Sequence, residues 1–445
     1  VGRSLQARGV PRRREVGGLR AATSADIAPP SDSDVAGVQP VAASLNVAKN
    51  LVGAGILCLP AGVSAFSSNP AALAPALVIL AAMAMLTAYS FYLIARVCEE
   101  TGAETFGEAW KLSVKRAAWL PQLVCLLECA GSAVQYSMVI GDVFSGLLQS
   151  APLPAILTTR TNLIWAIGAL VLYPLCCLRS FASLARFSAL GTIATSYVVV
   201  FVVKRFLDGS YAPGGAYFKR SVQPILSTTG SWLNPKILIL VSVLSSAFIV
   251  HVNTPQMYAQ LAPNTTAGTE EQRRAKLSRF AVVTLLGFGV AALQYVLVMT
   301  FGFLTFGRST RGNVLLNYAV TDPLAAVARL AVGISVLFGF PMQFAGLRVG
   351  FLEAAGSPIN LPKAKHRLLT AVMLAGSLAV ACSFSDLGRF QALEGAFLAS
   401  FITLIAPPVM AYQLKGGRWA KARFGTLLAV GVVFGAIGAY MTVRA

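Results

Sequence analysis

The sequence predicts an all-α integral membrane protein with about eleven transmembrane helices. Of its 445 residues, 56% are hydrophobic and only 12% are charged. That charged fraction is about half the value of an average soluble domain. Apolar runs long enough to cross a hydrocarbon core of ~30 Å follow one another along the chain. The 36 Lys and Arg residues are distributed between these runs and do not cluster in one patch. The net charge of +19 therefore indicates membrane topology and excludes a nucleic-acid-binding patch.

The predicted helices follow a polar N-terminal segment. Residues 1–40 are rich in Arg, Pro and Ser and lack apolar periodicity, which predicts a disordered cytosolic tail. Residues 41–443 are predicted to form the transmembrane domain, at ~20 residues for each crossing. The predicted spans 1 to 11 are 41–66, 71–98, 118–149, 161–178, 181–207, 236–260, 277–306, 322–352, 366–385, 387–414 and 424–443.

Positive charges predict the orientation of these spans. With the N-terminus in the cytosol, 24 of the 36 Lys and Arg residues fall in inner segments and 11 in outer segments. Cytoplasmic loops carry an excess of Lys and Arg, so the N-terminus is predicted to be cytosolic and the C-terminus to lie on the opposite side. Residues 104–116 are predicted to form a short amphipathic helix on the cytosolic interface, with a solvated connector as the alternative.

Two spans contain helix-breaking residues at membrane depth. Span 1 reads N-V-A-K-N-L-V-G-A-G-I-L-C-L-P from Asn46 to Pro60, and Gly53 to Gly55 permit local unwinding. Span 6 reads S-S-A-F-I-V-H-V-N-T-P-Q-M-Y from Ser245 to Tyr258, with Pro255 in mid-run. Unpaired backbone groups are tolerated at this depth only where they line a cavity or are buried in protein. The alternative for the G-x-G sequence is close packing between helices.

The positions of the two breaks correspond within the chain. One interrupted helix opens the first five spans and the other opens the next five. This predicts two inverted repeats, 41–207 and 236–414, followed by an extra helix, 424–443, with a ligand site near the middle of the membrane. Amide groups at the N-terminus of a half-helix suit a carboxylate, and freed carbonyl groups suit an ammonium group or a cation.

With these motifs the sequence resembles the amino acid/auxin permease family, which includes vacuolar amino-acid transporters and sodium-coupled neutral amino-acid transporters. Span 1 is similar to the family's N-x-x-x-x-x-x-G-x-G-I-L-x-L-P signature, and Phe248 to Tyr258 are similar to its F-x-x-H…P-x-Y segment. The resemblance covers roughly residues 42 to 442 and implies a LeuT-like fold with broken helices 1 and 6. Its further motifs are Phe301 to Gly307, Asn313 to Tyr318, Arg329 to Arg348 and Asp386 to Ala396.

The resemblance and the two breaks predict an alternating-access carrier of neutral amino acids, with its site between spans 1, 3, 6 and 8. Amides in span 1 are predicted to bind the substrate carboxylate, and carbonyl groups at the break of span 6 to accept from its ammonium group. Tyr136 matches a family tyrosine, with an interfacial anchor as the alternative. The predicted substrate-binding residues are Gly53, Ala54, Gly55, Ile56, Tyr136, Ser246, Ala247, Phe248 and Val250.

The coupling ion is predicted from departures from the family pattern. In sodium-coupled members an Asn lies four residues before the first Gly of G-x-G, and that position is Lys49 here. Near the expected hydroxyl positions of span 8 stand Leu337 and Gly339, with Ser335 the nearest hydroxyl. Because an ammonium group would occupy the space of a cation, we expect proton coupling, or no ion coupling, rather than sodium coupling. The alternative is that Lys49 extends to the cytosolic interface.

Glu128, in the middle of span 3, is the predicted proton carrier, with a carboxyl paired inside the bundle, for instance with Lys49, as the alternative. Glu394 of span 10 is a weaker candidate for the proton carrier. His251 titrates near neutrality in water but is often a packing residue inside a helix. The predicted ion-coupling candidates are Lys49, Glu128, His251 and Ser335.

The sequence contains no nucleophile–base pair, metal-ligand cluster or phosphate loop, so we expect no enzymatic activity, cofactor or metal. The main alternative function is a transceptor of the same fold that senses amino acids and signals through residues 1–40. The predicted partners are an amino acid, a co-transported proton (sodium is favoured less) and the bilayer. The predicted location is a vacuolar or lysosomal-type internal membrane or the plasma membrane.

Overall fold

The structure is a computed structural model that describes residues 39–149, 152, 154–179, 188–219, 226–227, 231, 234–261, 270–414 and 418–444. The described residues form helices joined by turns and short connections, and none of them forms a strand. The N-terminal tail predicted for residues 1–40 lies almost entirely outside the described residues.

Helices occupy all of the predicted apolar runs within the described residues. In chain order, spans 1 to 11 are Pro40–Leu51 with Ala54–Ser64, Leu73–Thr101, Trp119–Leu148, Arg160–Cys176, Ser188–Leu207, Ile237–Ala247 with Thr254–Gln260, Glu270–Phe306, Pro323–Ala354, Lys363–Ser383, Leu387–Leu414 and Arg418–Arg444. Span 7 begins seven residues before the predicted position 277, because hydropathy marks the membrane-embedded part of a helix while its charged first turns extend beyond it.

The all-α membrane class is confirmed, and the number of crossings stays a prediction. Eight described helices are long and apolar enough to cross a membrane, and the bent pair in span 1 makes a ninth. Span 4 is a shorter apolar helix, Arg160–Cys176. Span 5 is described only from Ser188 onward.

Span 1 is broken at its glycines. Its first half ends at Leu51, and its two halves meet at an angle of 51°. Gly53 has extended backbone angles, φ −105° and ψ −154°, and a 3₁₀ turn from Ala54 to Cys58 leads into the second half.

Span 6 is broken between Ala247 and Thr254. A 3₁₀ turn, His251–Asn253, separates the two halves. Pro255 lies in the first turn of the second half. Proline is well placed there because its missing N–H would have no partner within the helix.

The helix predicted within residues 104–116 is present as Phe106–Ser113, and its position relative to the membrane stays a prediction. Thr105 caps it by accepting from the amide of Glu108 at 3.1 Å. Phe106 and Trp110 are buried in protein, and the ring of Trp110 lies 5.8 Å from that of Phe401 in span 10. The apolar face of this helix therefore packs on the bundle, because span 10 offers it an aromatic surface.

Span 10 is irregular where it passes the broken helices. Two π-helical stretches, Gly395–Ala399 and Phe401–Ile405, interrupt it. Such stretches often occur at functional sites because they change the direction in which side chains point. Gln391 and Glu394, in the turn before the first stretch, are buried against spans 1, 3 and 6.

Candidate functional site

The two broken helices touch each other at Gly55 and Ala247. A Cβ on Gly55 would lie 3.5 Å from the Ala247 Cα and 2.9 Å from Nε2 of Gln391. Gly53 faces open space, since no heavy atom lies within 4 Å of a Cβ built there. The break in span 1 therefore combines a tight contact at one glycine with free volume at the other.

The backbone ends at this junction carry complementary partial charges. Ala54 and Gly55 begin the 3₁₀ turn, where the first amide groups have no partner inside the helix. The preceding halves of spans 1 and 6 end at Leu51 and Ala247, and the last carbonyl groups of a helix likewise lack intrahelical partners. Amide groups suit a carboxylate and carbonyl groups suit an ammonium group, so the junction matches both ends of an α-amino acid.

Tyr295 of span 7 links the two breaks, and the sequence analysis did not identify it. Its side chain is fully buried. Its hydroxyl lies 2.7 Å from the Leu51 carbonyl oxygen and 2.6 Å from the Ala247 carbonyl oxygen. A hydroxyl has one hydrogen, so it donates to one of these carbonyls at a time. The only sequence signal was a tyrosine within a long apolar run.

Several of the predicted substrate-binding residues have side chains that are packed in the core. Phe248 is fully buried, and its ring lies 4.9 Å from Tyr295 and 6.1 Å from Phe288 of span 7. Ile56 and Val250 are also buried in the core. These side chains hold the broken segments in place, and their backbone groups remain the candidates for ligand contact.

Tyr136 lies where span 3 meets span 8. Its ring is half-buried and 6.5 Å from the ring of Phe340. A Cβ on Gly339 would lie 3.5 Å from the Tyr136 ring. Gly339 of span 8 therefore lies next to this tyrosine, at a distance where a methyl group would make an ordinary contact with its ring.

Glu394 is surrounded by polar groups from two other spans. The amide nitrogen Nε2 of Gln135 in span 3 donates to its Oε2. Ser246, beside the break in span 6, donates to the same oxygen at 3.5 Å. Glu394 Oε1 is buried without a hydrogen-bond partner, and it is the nearest atom to the place where a Cβ on Gly131 would lie. Glu394, a weaker candidate for the proton carrier on sequence grounds, thus lies at the centre of the described polar contacts near the breaks.

Glu128, the predicted proton carrier, is also buried in span 3. It is 7% exposed, and its Oε2 has no hydrogen-bond partner. Lys49 is half-exposed near the end of the first half of span 1. None of the ion pairs among the described residues joins Lys49 to Glu128, and the role of Glu128 stays a prediction.

The remaining ion-coupling candidates lie apart from Glu128. Ser335 of span 8 faces span 5, and its Oγ lies 3.1 Å from the position of a Cβ on Gly191. His251 is fully buried against span 2, where its Nε2 lies 3.0 Å from the Thr87 carbonyl oxygen and 2.9 Å from Oγ of Ser90. A carbonyl oxygen only accepts, so Nε2 carries a hydrogen. These contacts match the packing alternative for His251.

Comparison with known proteins agrees with this architecture. Residues 37–445 match the family described as transmembrane amino acid transporter protein. The putative sodium-coupled neutral amino acid transporter 11 of Danio rerio is 26% identical, and the alignment covers 90% of this chain and 85% of that protein. The vacuolar amino acid transporter 5 of Schizosaccharomyces pombe is 25% identical, with 83% of each chain covered.

Solved structures show the same fold at low sequence identity. The inward-facing conformation of Mhp1 has a TM-score of 0.57 at 13% identity, covering 96% of this chain and 93% of that one. MhsT in complex with L-phenylalanine has a TM-score of 0.53 at 12% identity, covering 90% and 98%. These are transporters of the LeuT-like fold, as predicted. Because the family match extends over most of the sequence, the chain belongs to the transmembrane amino acid transporter family.

Proposed function

We propose that this protein is an alternating-access carrier of neutral amino acids that uses a proton gradient rather than a sodium gradient. One observation carries the proposal: at the contact between Gly55 and Ala247, free amide groups of one half-helix face the same junction as the carbonyl ends of two others. The names of the relatives as amino acid transporters support the substrate class.

The breaks also allow spans 1 and 6 to move. Substrate carboxylate binds the amides of Ala54 and Gly55, and its ammonium group binds carbonyl groups at the break of span 6. Spans 1 and 6 then tilt with their bundle against the remaining helices, so that the site opens to one side at a time. Gly53 and Phe248 to Val250 are the hinges, because they connect the two halves of each broken span and lie outside the helices.

Two residues support proton coupling. Lys49 stands where sodium-coupled members of the family carry an Asn, and an ammonium group there excludes a second cation. Glu128 is a buried carboxyl whose Oε2 has no partner, which suits a group that gains and loses a proton. The vacuolar relatives support an internal membrane, and the excess of Lys and Arg in the inner segments supports a cytosolic N-terminus.

Uptake into liposomes tests the function. The purified protein is reconstituted, and accumulation of labelled neutral amino acids is measured under an imposed pH gradient or an imposed sodium gradient. We expect accumulation with the pH gradient, none with sodium alone, and loss of accumulation when a protonophore collapses the gradient.

Protein-free liposomes and liposomes without a gradient are the controls. Accumulation driven by sodium alone would contradict the proton assignment. Binding of amino acids with no flux under either gradient would replace the carrier with the transceptor, and capture of a cytosolic partner by residues 1–40 would then be the next measurement.

A further inference from the structure

One face of span 3 is shaped to receive the side chain of Glu394. Glu128, Gly131 and Gln135 are spaced by three and four residues, so they lie on one face of the helix. Gly131 leaves room for the Glu394 carboxyl group, and Gln135 donates to it. Glu128 lies one turn before the glycine, on the same face, so its side chain and that of Glu394 lie against neighbouring turns of span 3.

Both carboxyl groups of the pair are buried. Glu128 and Glu394 are 7% and 6% exposed, and none of the ion pairs in the described part of the chain involves either of them. The titratable groups that face them are thiols, Cys125 and Cys129 of span 3 and Cys58 of span 1. Each carboxyl group also keeps one buried oxygen without a hydrogen-bond partner, Oε2 of Glu128 and Oε1 of Glu394.

Two neighbouring buried carboxylates that lack a cation cannot both be ionised, because each charge is poorly solvated and repels the other. We propose that Glu128 and Glu394 together hold the single proton that is transported with each amino acid. This inference rests on the proposed function and adds to it the second carboxyl group and the stoichiometry.

The contacts of Glu394 connect this proton to the broken helices. Its Oε2 accepts from Ser246, the residue before Ala247 at the break of span 6. One turn earlier, Nε2 of Gln391 lies 3.4 Å from the Gly55 carbonyl oxygen of span 1. A protonated carboxyl group donates one hydrogen bond and accepts fewer, so loading the pair changes the hydrogen bonds that tie span 10 to span 6. Proton binding is thereby coupled to movement of the substrate site.

A cationic amino-acid side chain is the competing ligand for two carboxyl groups. The structure favours the proton because the two unpartnered oxygens are buried inside the protein, and a proton needs no volume of its own. A lysine or arginine side chain would need an open cavity that reaches both carboxyl groups.

The test measures the substrate gradient that just balances an imposed pH gradient in liposomes, with the membrane potential clamped at zero. For one proton per substrate, the balancing gradient of a neutral amino acid rises about tenfold for each pH unit. We expect this slope for the unmodified protein. In Glu394→Gln and in Glu128→Gln we expect no accumulation, while exchange of labelled for unlabelled substrate across the membrane continues.

Glu353→Gln, which changes a carboxyl group at the cytosolic end of span 8, is the matched control and should keep the slope. A slope of about a hundredfold for each pH unit would mean that each carboxyl group carries its own proton, and would overturn the shared site. Proton-driven accumulation that persists in Glu394→Gln would overturn the pair while leaving the carrier function intact. Failure of the unmodified protein to transport would instead remove the proposed function.

Two further measurements keep the inference testable if a variant fails to fold. The slope of the unmodified protein requires no variant. Infrared difference spectra of the unmodified protein between acidic and alkaline medium should show the carbonyl band of one protonated carboxyl group per pair. Uptake of lysine or arginine in exchange for the proton, lost in both variants, would assign the pair to a cationic side chain and contradict the inference.

Discussion

At the scale of single residues, Tyr295 is the side chain that holds the site together. The broken helices leave carbonyl groups without intrahelical partners in the core, and such groups are costly to bury unpaired. The hydroxyl of Tyr295 reaches both Leu51 and Ala247 from a third span. One side chain from a third span therefore lies within hydrogen-bond distance of both breaks.

We predict that Tyr295→Phe destabilises the protein and slows transport. The change removes the hydroxyl and leaves the Ala247 carbonyl without this donor, while the Leu51 carbonyl keeps the amide of Gly53 at 2.9 Å. A buried polar group that loses its partner costs about 1–3 kcal/mol, so the thermal midpoint should fall. Thermal denaturation of the purified protein and initial rates of uptake measure the two effects.

The matched control is Tyr440→Phe. Tyr440 is half-exposed on span 11, and the guanidinium group of Arg444 lies over its ring, 4.5 Å from the ring centroid. Removing that hydroxyl should leave both the thermal midpoint and the rate unchanged. Equal behaviour of the two variants would mean that the Tyr295 hydroxyl does not link the breaks.

The sequence could identify the backbone of the site but not the side chains that support it. Gly53, Gly55 and Pro255 are visible in a single chain because only certain residue types break helices. Tyr295 and Glu394 could not be ranked in the same way. Their importance depends on which helix faces they meet, and hydropathy does not encode the rotation of one helix against another.

At the scale of helices, the sequence again predicts where elements lie along the chain but not which of their faces meet. The order of the helices and the two broken spans follow from hydropathy and from helix breakers, and both agree with the structure. The helix Phe106–Ser113 was expected from its amphipathic pattern, but its contact with span 10 was not. An amphipathic pattern shows that one face is apolar, and it does not distinguish lipid from protein as the partner of that face.

We predict that Gly55→Ala impairs both stability and transport. Its Cβ would lie 2.9 Å from Nε2 of Gln391, so this amide group must move away from its bonds to the Gly55 and Val243 carbonyl oxygens, while the 3.5 Å distance to the Ala247 Cα is an ordinary contact. Overpacking of this kind costs about 1–3 kcal/mol. Thermal denaturation and uptake rates are the measurements.

Gly289→Ala in span 7 is the control, because no heavy atom lies within 4 Å of its Cβ position and the glycine is exposed on the helix surface. Alanine has the higher helix propensity, so this variant should be as stable as the unmodified protein or more stable by up to about 1 kcal/mol. If Gly55→Ala transported as well as Gly289→Ala, the close contact between the breaks would have no role in the cycle.

At the scale of the whole molecule, the distribution of charge and the number of helices together predict on which side of the membrane each end of the chain lies. Inner segments hold 24 of the 36 Lys and Arg residues when the N-terminus is placed in the cytosol. The eleven predicted crossings, an odd number, would then bring the C-terminus to the opposite side. The two predictions are linked, because the number of crossings decides which segments count as inner.

We therefore predict that tags at the two ends of the chain lie on opposite sides of the membrane. In sealed organelles or vesicles whose cytosolic face is outward, protease should remove an N-terminal tag and leave a C-terminal tag intact until detergent is added. Two accessible tags would mean an even number of crossings, and the first elements to reconsider would be the short span 4, Arg160–Cys176, and span 11, Arg418–Arg444. An accessible C-terminal tag with a protected N-terminal tag would instead keep the odd number and reverse the orientation. That result would leave the coupling by the Glu128–Glu394 pair unchanged, because the direction of the pH gradient, and not the orientation of the carrier, determines which way amino acids are driven.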